Sequence, residues 1–214
     1  MAAPVIAVLA NVHPADGPER DAPIRHASEA PAAAEELGRA LATAGLSIAV
    51  YSCSDRYLDS HVVDGFLAAS GKRQDKARIH VWHSQGSPDG DFQGMADAEY
   101  SGVFSPHLQS NTDDWSTTFF RSMKAVDGVV VIGGRDFSFV AALWTLGMPL
   151  PLSTVAYFGG GAAKAWPVLK AERGLAEDEE IEVMGLPWSS TNLETLVSGL
   201  KKQVARKKGR ESRQ

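Results

Sequence analysis

The stretch Asp127-Gly-Val-Val-Val-Ile-Gly-Gly-Arg-Asp-Phe-Ser138 decides how this chain folds. Val129 to Ile132 is an unbroken β-branched run, the pattern of a strand buried on both faces inside a parallel sheet. Gly133 and Gly134 end it, and Val140 to Leu146 then supply a helical apolar stretch closed by Gly147. A strand, a glycine pair and a helix start in that order build the floor of a pocket. Side chains are missing where the backbone turns, and the N–H groups of the helix N-terminus face whatever sits there. The same order also makes a plain strand-to-helix turn with no ligand.

Before this stretch the chain alternates strands and helices. Val5 to Val12 is a first strand, followed by a polar, Pro-rich loop from His13 to Pro31. Ala33, Leu37, Ala40, Leu41 and Ala44 recur at helical spacing, and Gly45 ends that helix. Ser47 to Ser52 is a second strand, with the exit loop Cys53 to Leu58. Asp59 or Ser60 then caps a helix whose inner face is Val62, Val63, Phe66 and Leu67. Arg78 to Ser84 is a third strand, residues 85–112 are turn-rich and polar, and a helix from Asp113 carries Trp115, Phe119, Met123 and Val126 on one face. Trp115, Phe119 and Trp144 fall at core spacing on their helices.

After Gly147 the pattern resumes. Pro149 to Phe158 reads as a strand, Phe158-Gly-Gly-Gly161 repeats the glycine punctuation, and a helix runs to about Arg173, with Pro167 fitting only in its first turn. Glu177 to Glu180 reads as a solvated loop and Glu182 to Trp188 as a short edge strand. Thr191 and Glu194 have capping-box spacing ahead of a last helix with Leu193, Leu196, Val197, Leu200 and Val204 inward. This alternation predicts an α/β fold: a doubly wound, mostly parallel Rossmann-like sheet with helices on both faces, forming one domain over residues 1–200.

At 214 residues, 44% hydrophobic and 22% charged, the composition is that of a globular domain with a full core. No apolar run reaches the roughly 18 residues of a membrane helix, and the N-terminus lacks the basic start of a signal peptide, so no membrane is expected. The single cysteine, Cys53, excludes an internal disulfide and fits a reducing cytoplasm. Residues 201–214 hold seven Lys/Arg against one Glu, so the first 200 residues carry −11 of the total charge of −5. The basic tail continues the last helix or is disordered, and the acidic body argues against nucleic-acid binding.

Ligands in such sheets sit beyond the carboxyl ends of the strands. The candidate walls are therefore Asn11 to His13, Cys53 to Leu58, His83 to Gln85, Gly133 to Ser138 and Phe158 to Gly161. Two glycine clusters suit a ligand with more than one phosphate, or a phosphate with a ribose. Arg135 and Arg56 are candidate phosphate partners, and Asp136 suits a ribose hydroxyl or caps the helix. There is no G-x-G-x-x-G after the first strand and no Walker lysine, which disfavours a dehydrogenase or P-loop enzyme, and no cofactor is expected. No metal site is expected either: His80 and His83, three apart in a strand, face opposite sides. Cys53 near His83 lacks a third member, and Ser105, His107 and Asp113 are too scattered for a triad.

The segment Ala33-Ala-Glu-Glu-Leu-Gly-Arg-Ala-Leu-Ala-Thr-Ala-Gly45, followed by a strand and polar loop, resembles the opening of the SLOG superfamily. That superfamily joins the Lonely Guy phosphoribohydrolases, the Smf/DprA proteins and nucleotide-sensing domains. Asp127 to Arg135 is similar to its central Gly-Gly segment, and Leu146-Gly-Met-Pro-Leu and Phe158 to Trp166 are similar to segments of its sensor-like branch. The hydrolase branch has Gly-Gly-x-Gly-Thr and a glutamate in the helix's first turn; here Phe137, Ser138 and Val140 stand at those places. The resemblance implies binding of a nucleotide-derived small molecule without turnover, in a homodimer or larger assembly. Gly133, Gly134 and Ser138 would hold phosphate, Arg135 would pair with it, and Asp136 would meet ribose. Asn11, Asp55, Arg56, Tyr57 and the loop Phe158, Gly159, Gly160, Gly161 would line the remainder. The alternative is a nucleotide N-ribohydrolase that uses Asp136 as a relocated carboxylate, with Arg121 on the preceding helix.

Overall fold

The computed structural model describes residues 2–12, 23–54, 56–70, 78–84, 91–97, 99–100, 102–109 and 115–212. Six strands form one sheet: β1 (Val5–Asn11), β2 (Ser47–Val50), β3 (Ile79–Ser84), β4 (Phe104–Gln109), β5 (Gly128–Gly133) and β6 (Leu152–Val155), in the order β4-β3-β2-β1-β5-β6. Every neighbouring pair is parallel. β5 is buried along its whole length, as its β-branched run requires of a strand covered on both faces.

The helices are α1 (Ala30–Thr43), α2 (Asp59–Ser70), α3 (Trp115–Ser122), α4 (Asp136–Gly147), α5 (Gly160–Glu172), α6 (Asp178–Val183) and α7 (Ser190–Glu211). The connections β1–β2 and β2–β3 step one way across the sheet, while β4–β5 and β5–β6 step the other way. Right-handed crossovers then put α1 and α2 on one face and α3 and α4 on the opposite one. A ring contact agrees for the second pair: Phe120 of α3 lies against Trp144 of α4, with centroids 3.9 Å apart and planes tilted by 42°. α1 and α2 cross at glycines. A Cβ on Gly38 would lie 2.0 Å from the Val62 carbonyl, and one on Gly65 would lie 1.9 Å from that of Glu35. No described helix is long and apolar enough to cross a membrane.

Several local expectations need correction. β4 lies inside the region read as turns. Pro106 is tolerated there because β4 is an edge strand with one hydrogen-bonded neighbour. β2 stops at Val50 because the Tyr51 and Ser52 amides donate to the Asp59 carboxylate, at 2.8 and 3.2 Å. The strand expected over Pro149 to Phe158 is only β6, closed by a 3-10 turn over Ala156–Phe158, with the Ala156 amide donating to the Met184 carbonyl. Pro167 sits inside α5, well past its first turn. Pro167 is on the exposed side of the helix.

The acidic run is also not a loop. Asp178 to Val183 is helix α6, with the Glu177 amide donating to Glu180 Oε2 at 3.1 Å. The edge strand expected after it is absent from that segment: the amides of Met184, Gly185 and Leu186 donate to carbonyls three residues back, which is turn geometry. α7 is capped by Ser189, whose hydroxyl accepts from the Asn192 amide, and Thr191 lies within the helix. Trp144 is 38% exposed and rests on Phe120 rather than in the core.

Candidate functional site

The strand order reverses between β1 and β5, whose last residues, Asn11 and Gly133, are register partners. A topological switch point of this kind is where α/β sheets open a crevice. The crevice here is a cleft of about 240 Å³. Its floor is the end of β1 from Val8 to Asn11, and its walls are Tyr51, Ser52, Tyr57 and Asp59 on one side and Arg135, Phe137 and Ser138 on the other.

The glycine pair makes the second wall possible. Gly133 and Gly134 both have positive φ, at 59° and 80°, which turns the chain sharply from β5 into α4. The Gly134 amide donates to the Asn11 carbonyl at 2.6 Å, which locks the turn onto β1. A Cβ on Gly134 would lie 2.2 Å from Ser138 Oγ, so the serine folds back over the glycine. The first intrahelical bond of α4 runs from the Phe139 amide to the Arg135 carbonyl at 3.1 Å. The amides of Asp136, Phe137 and Ser138 precede it and form the positive end of the helix dipole.

On the other wall, sequence reasoning reaches Tyr57 but places Tyr51 and Ser52 in a strand and reads Asp59 as a helix cap. Instead its buried carboxylate spans the gap between β2 and α2, accepting from the Tyr51 and Ser52 amides. Ser60 serves the same loop, its hydroxyl donating to the Cys53 carbonyl at 3.2 Å. The Tyr51 hydroxyl meets Ser122 Oγ at 2.8 Å. Burial, with the Asp59 charge adding to it, holds the Tyr51 phenol well above its ordinary pKa against the opposing Ser122 hydrogen bond. The ring therefore stays neutral and fixes the cleft wall to α3.

Of the expected site residues, Asn11, Tyr57, Arg135 and Ser138 line the cleft, with Gly133 and Gly134 shaping it. The second glycine cluster sits elsewhere. The Gly161 amide donates to the Gly134 carbonyl at 2.8 Å, and a Cβ on Gly160 would lie 2.2 Å from that carbonyl. Gly159 abuts the Pro23 carbonyl, and Phe158 is fully buried. This loop buttresses the first glycine turn, and none of its residues is among those lining the cleft. Asp136 is 65% exposed and pairs with Lys164 Nζ at 2.9 Å, and Arg121 is exposed at the end of α3; neither lines the cleft. Val140 is 49% exposed. Arg56 is exposed beside the cleft-lining Tyr57, Cys53 borders a separate cavity with Asp64 and Asp91, and Asp55, His13, Gln85 and Asp113 lie outside the described residues.

Chemically, the cleft offers Arg135, Phe137 and Ser138, at the start of α4, on one wall. On the other it offers a carboxylate with one oxygen already engaged by two backbone amides. The first wall suits an anion. No model of a known protein family matches the chain, and no curated protein sequence matches it. Among solved structures, the X-ray structure of TM1055, a Northeast Structural Genomics Consortium target, superposes with a TM-score of 0.58 at 16% identity, over 91% of this chain and 98% of that one. At that identity the likeness bears on the fold, which is Rossmann-like α/β.

Proposed function

We propose that the protein is a SLOG-like module that binds a nucleotide or nucleotide-derived ligand, ADP-ribose-like or cyclic, at the switch-point cleft without turning it over. The observation that carries this reading is the α4 N-terminus, reached through two positive-φ glycines, with Arg135 and Ser138 on the same wall of the cleft. Amides at a helix start and an adjacent guanidinium favour a phosphate through charge-assisted bonds worth about 1.5–3 kcal/mol each. The cleft volume of about 240 Å³ lies below the ~300 Å³ at which small-molecule sites usually begin. A cleft of this size suits the ribose-phosphate end of a nucleotide rather than the whole molecule.

Absence of turnover is read from the carboxylates. Cleavage of an N-glycosidic bond builds positive charge on ribose and needs a carboxylate beside it. Asp136 is paired with Lys164 outside the lining, Val140 replaces the glutamate of the hydrolase branch, and Asp59, the carboxylate that does line the cleft, is buried and tied to the β2–α2 connection by two amides on one oxygen. The test is a thermal scan with inorganic phosphate, ribose 5-phosphate, AMP and ADP-ribose, with chromatography of the mixtures. The expected result is a raised Tm with AMP or ADP-ribose, lost in Gly134→Asp and reduced in Arg135→Ala, and no free base. No shift with any compound overturns binding, and released base overturns the lack of turnover.

A further inference from the structure

At the opposite edge of the sheet, β3 and β4 bring together two imidazoles that sequence spacing keeps 27 positions apart. His80 Nδ1 and His107 Nε2 are 3.0 Å from each other, and Ser105 Oγ is 3.4 Å from the same His107 nitrogen. In the register His80 faces Ser105 and Trp82 faces His107, so all four share one face of the edge. Trp82 stacks flat on the His107 ring, with centroids 4.3 Å apart and planes 7° from parallel, which fixes that imidazole's orientation. Both histidines and Ser105 are half-buried, so the cluster is held yet open to solvent.

A Ser-His hydrolytic arrangement does not fit these atoms. A general base needs one ring nitrogen toward the nucleophile and the other toward an orienting group. Here Ser105 and His80 both meet the same His107 nitrogen. His80 Nδ1 and His107 Nε2 instead meet each other at 3.0 Å, the spacing of an N–H···N hydrogen bond whose shared proton a cation can replace. Ligands about 2.1 Å from an ion lie roughly 3.0 Å apart at a right angle and roughly 3.4 Å apart at the tetrahedral angle. The observed 3.0 Å matches the right angle, which is the cis arrangement of tetragonal N,O sites for Cu(II) or Ni(II).

We propose that His80 and His107 form an open binding site for a tetragonal divalent transition metal, with Ser105 as neighbouring oxygen donor and solvent completing the coordination. Among the described residues no group of three or more His, Cys, Asp or Glu side chains is gathered, so the pair is an exchangeable site and not a closed structural one. Strands β2 and β1 separate the site from β5, and it does not depend on the cleft's function.

The test uses the untagged full chain, stripped with chelator and titrated with Ni²⁺ and Cu²⁺ by calorimetry, with electron paramagnetic resonance of the Cu²⁺ form. One ion per chain is expected, with superhyperfine splitting from two nitrogens. His80→Gln and His107→Gln should each weaken binding by at least about tenfold, since even loss of a group that only orients a ligand costs 10–100-fold. His61→Gln, on α2, should leave it unchanged. Unaltered binding in either pair variant, or a spectrum without two-nitrogen coupling, overturns the proposal. The spectrum of the unmodified protein decides the matter if a variant does not fold.

Discussion

The amide of Gly161 donates to the carbonyl of Gly134 at 2.8 Å, so the start of α5 is bonded directly to the turn that shapes the cleft. Gly160 makes the approach possible, with φ at 59° and a Cβ position 2.2 Å from the Gly134 carbonyl. Gly160→Ala therefore combines backbone strain with a backbone clash, and each mechanism costs about 1–3 kcal/mol. For a chain of this size about 2–4 °C of Tm is lost per kcal/mol. A melting curve matching the unmodified protein would show that the two turns are not rigidly coupled.

Arg135 lines the cleft beside the first amides of α4. If a phosphate rests there, Arg135→Ala removes one charge-assisted contact of about 1.5–3 kcal/mol and weakens an AMP-type ligand by roughly 10–100-fold. Arg135→Lys keeps charge but loses the guanidinium fork, so it should recover only part of the affinity. Calorimetric titration separates the three proteins, and equal affinities would remove Arg135 from the site.

Gly38 and Gly65 form the second backbone contact that a methyl group cannot enter, each facing a carbonyl of the opposite helix at 2.0 Å or less. Gly38→Ala and Gly65→Ala should each destabilise by about 1–3 kcal/mol by forcing α1 and α2 apart. Glycine normally weakens a helix relative to alanine, by roughly 0.5–1 kcal/mol. The observed loss, read from urea midpoints, thus measures the crossing after that opposing gain. A stabilised variant would mean the helices do not approach this closely.

Glu180 is 5% exposed and ion-paired with Arg206, which also reaches Glu177 and donates from Nε to the Leu175 carbonyl at 2.8 Å. Arg206→Ala leaves a buried carboxylate without its counter-charge, a change that typically costs about 3–5 kcal/mol. Replacing both partners, Glu180→Met with Arg206→Met, should cost markedly less because no orphaned charge remains. Chemical denaturation of the three proteins tests the order of stability, and equal losses would place the effect in packing alone.

These contacts also explain what the sequence could and could not disclose. The β-branched run from Val129 to Ile132, the glycine pair after it and the apolar spacing in α1, α2 and α7 are local, and they sufficed for the α/β class and for Asn11, Tyr57, Arg135 and Ser138 around the cleft. The Glu177–Glu180 run opens α6 with a local capping contact and pairs with Arg206, 26 residues beyond Glu180, whereas its polarity alone reads as a loop. β4 alternates Ser105, His107 and Gln109 with Phe104, Pro106 and Leu108, an edge pattern whose proline mimics a turn. The role of Asp59 depends on two amides seven and eight residues earlier, and an aspartate at a helix start ordinarily reads as a cap. The Phe158–Gly161 glycines carry the composition of a phosphate loop, yet their need for space comes from the neighbouring turn.

The His80–His107 contact has a consequence for stability in metal-free protein. Burial lowers the pKa of both imidazoles from the usual 6.5, and the charge of His107 lowers that of His80 further. A lowered folded-state value means that the unfolded chain binds more protons as the pH falls below about 6.5. The stabilisation is complete above that pH and is lost as pH falls from the unfolded value through the folded ones. In chelator, the urea midpoint should therefore drop between pH 7.5 and pH 5.5. The drop should be smaller in the double variant His80→Gln with His107→Gln, which lacks both of these imidazoles. An identical pH dependence in the two proteins would mean that the imidazoles are as free to take up protons in the fold as in the open chain.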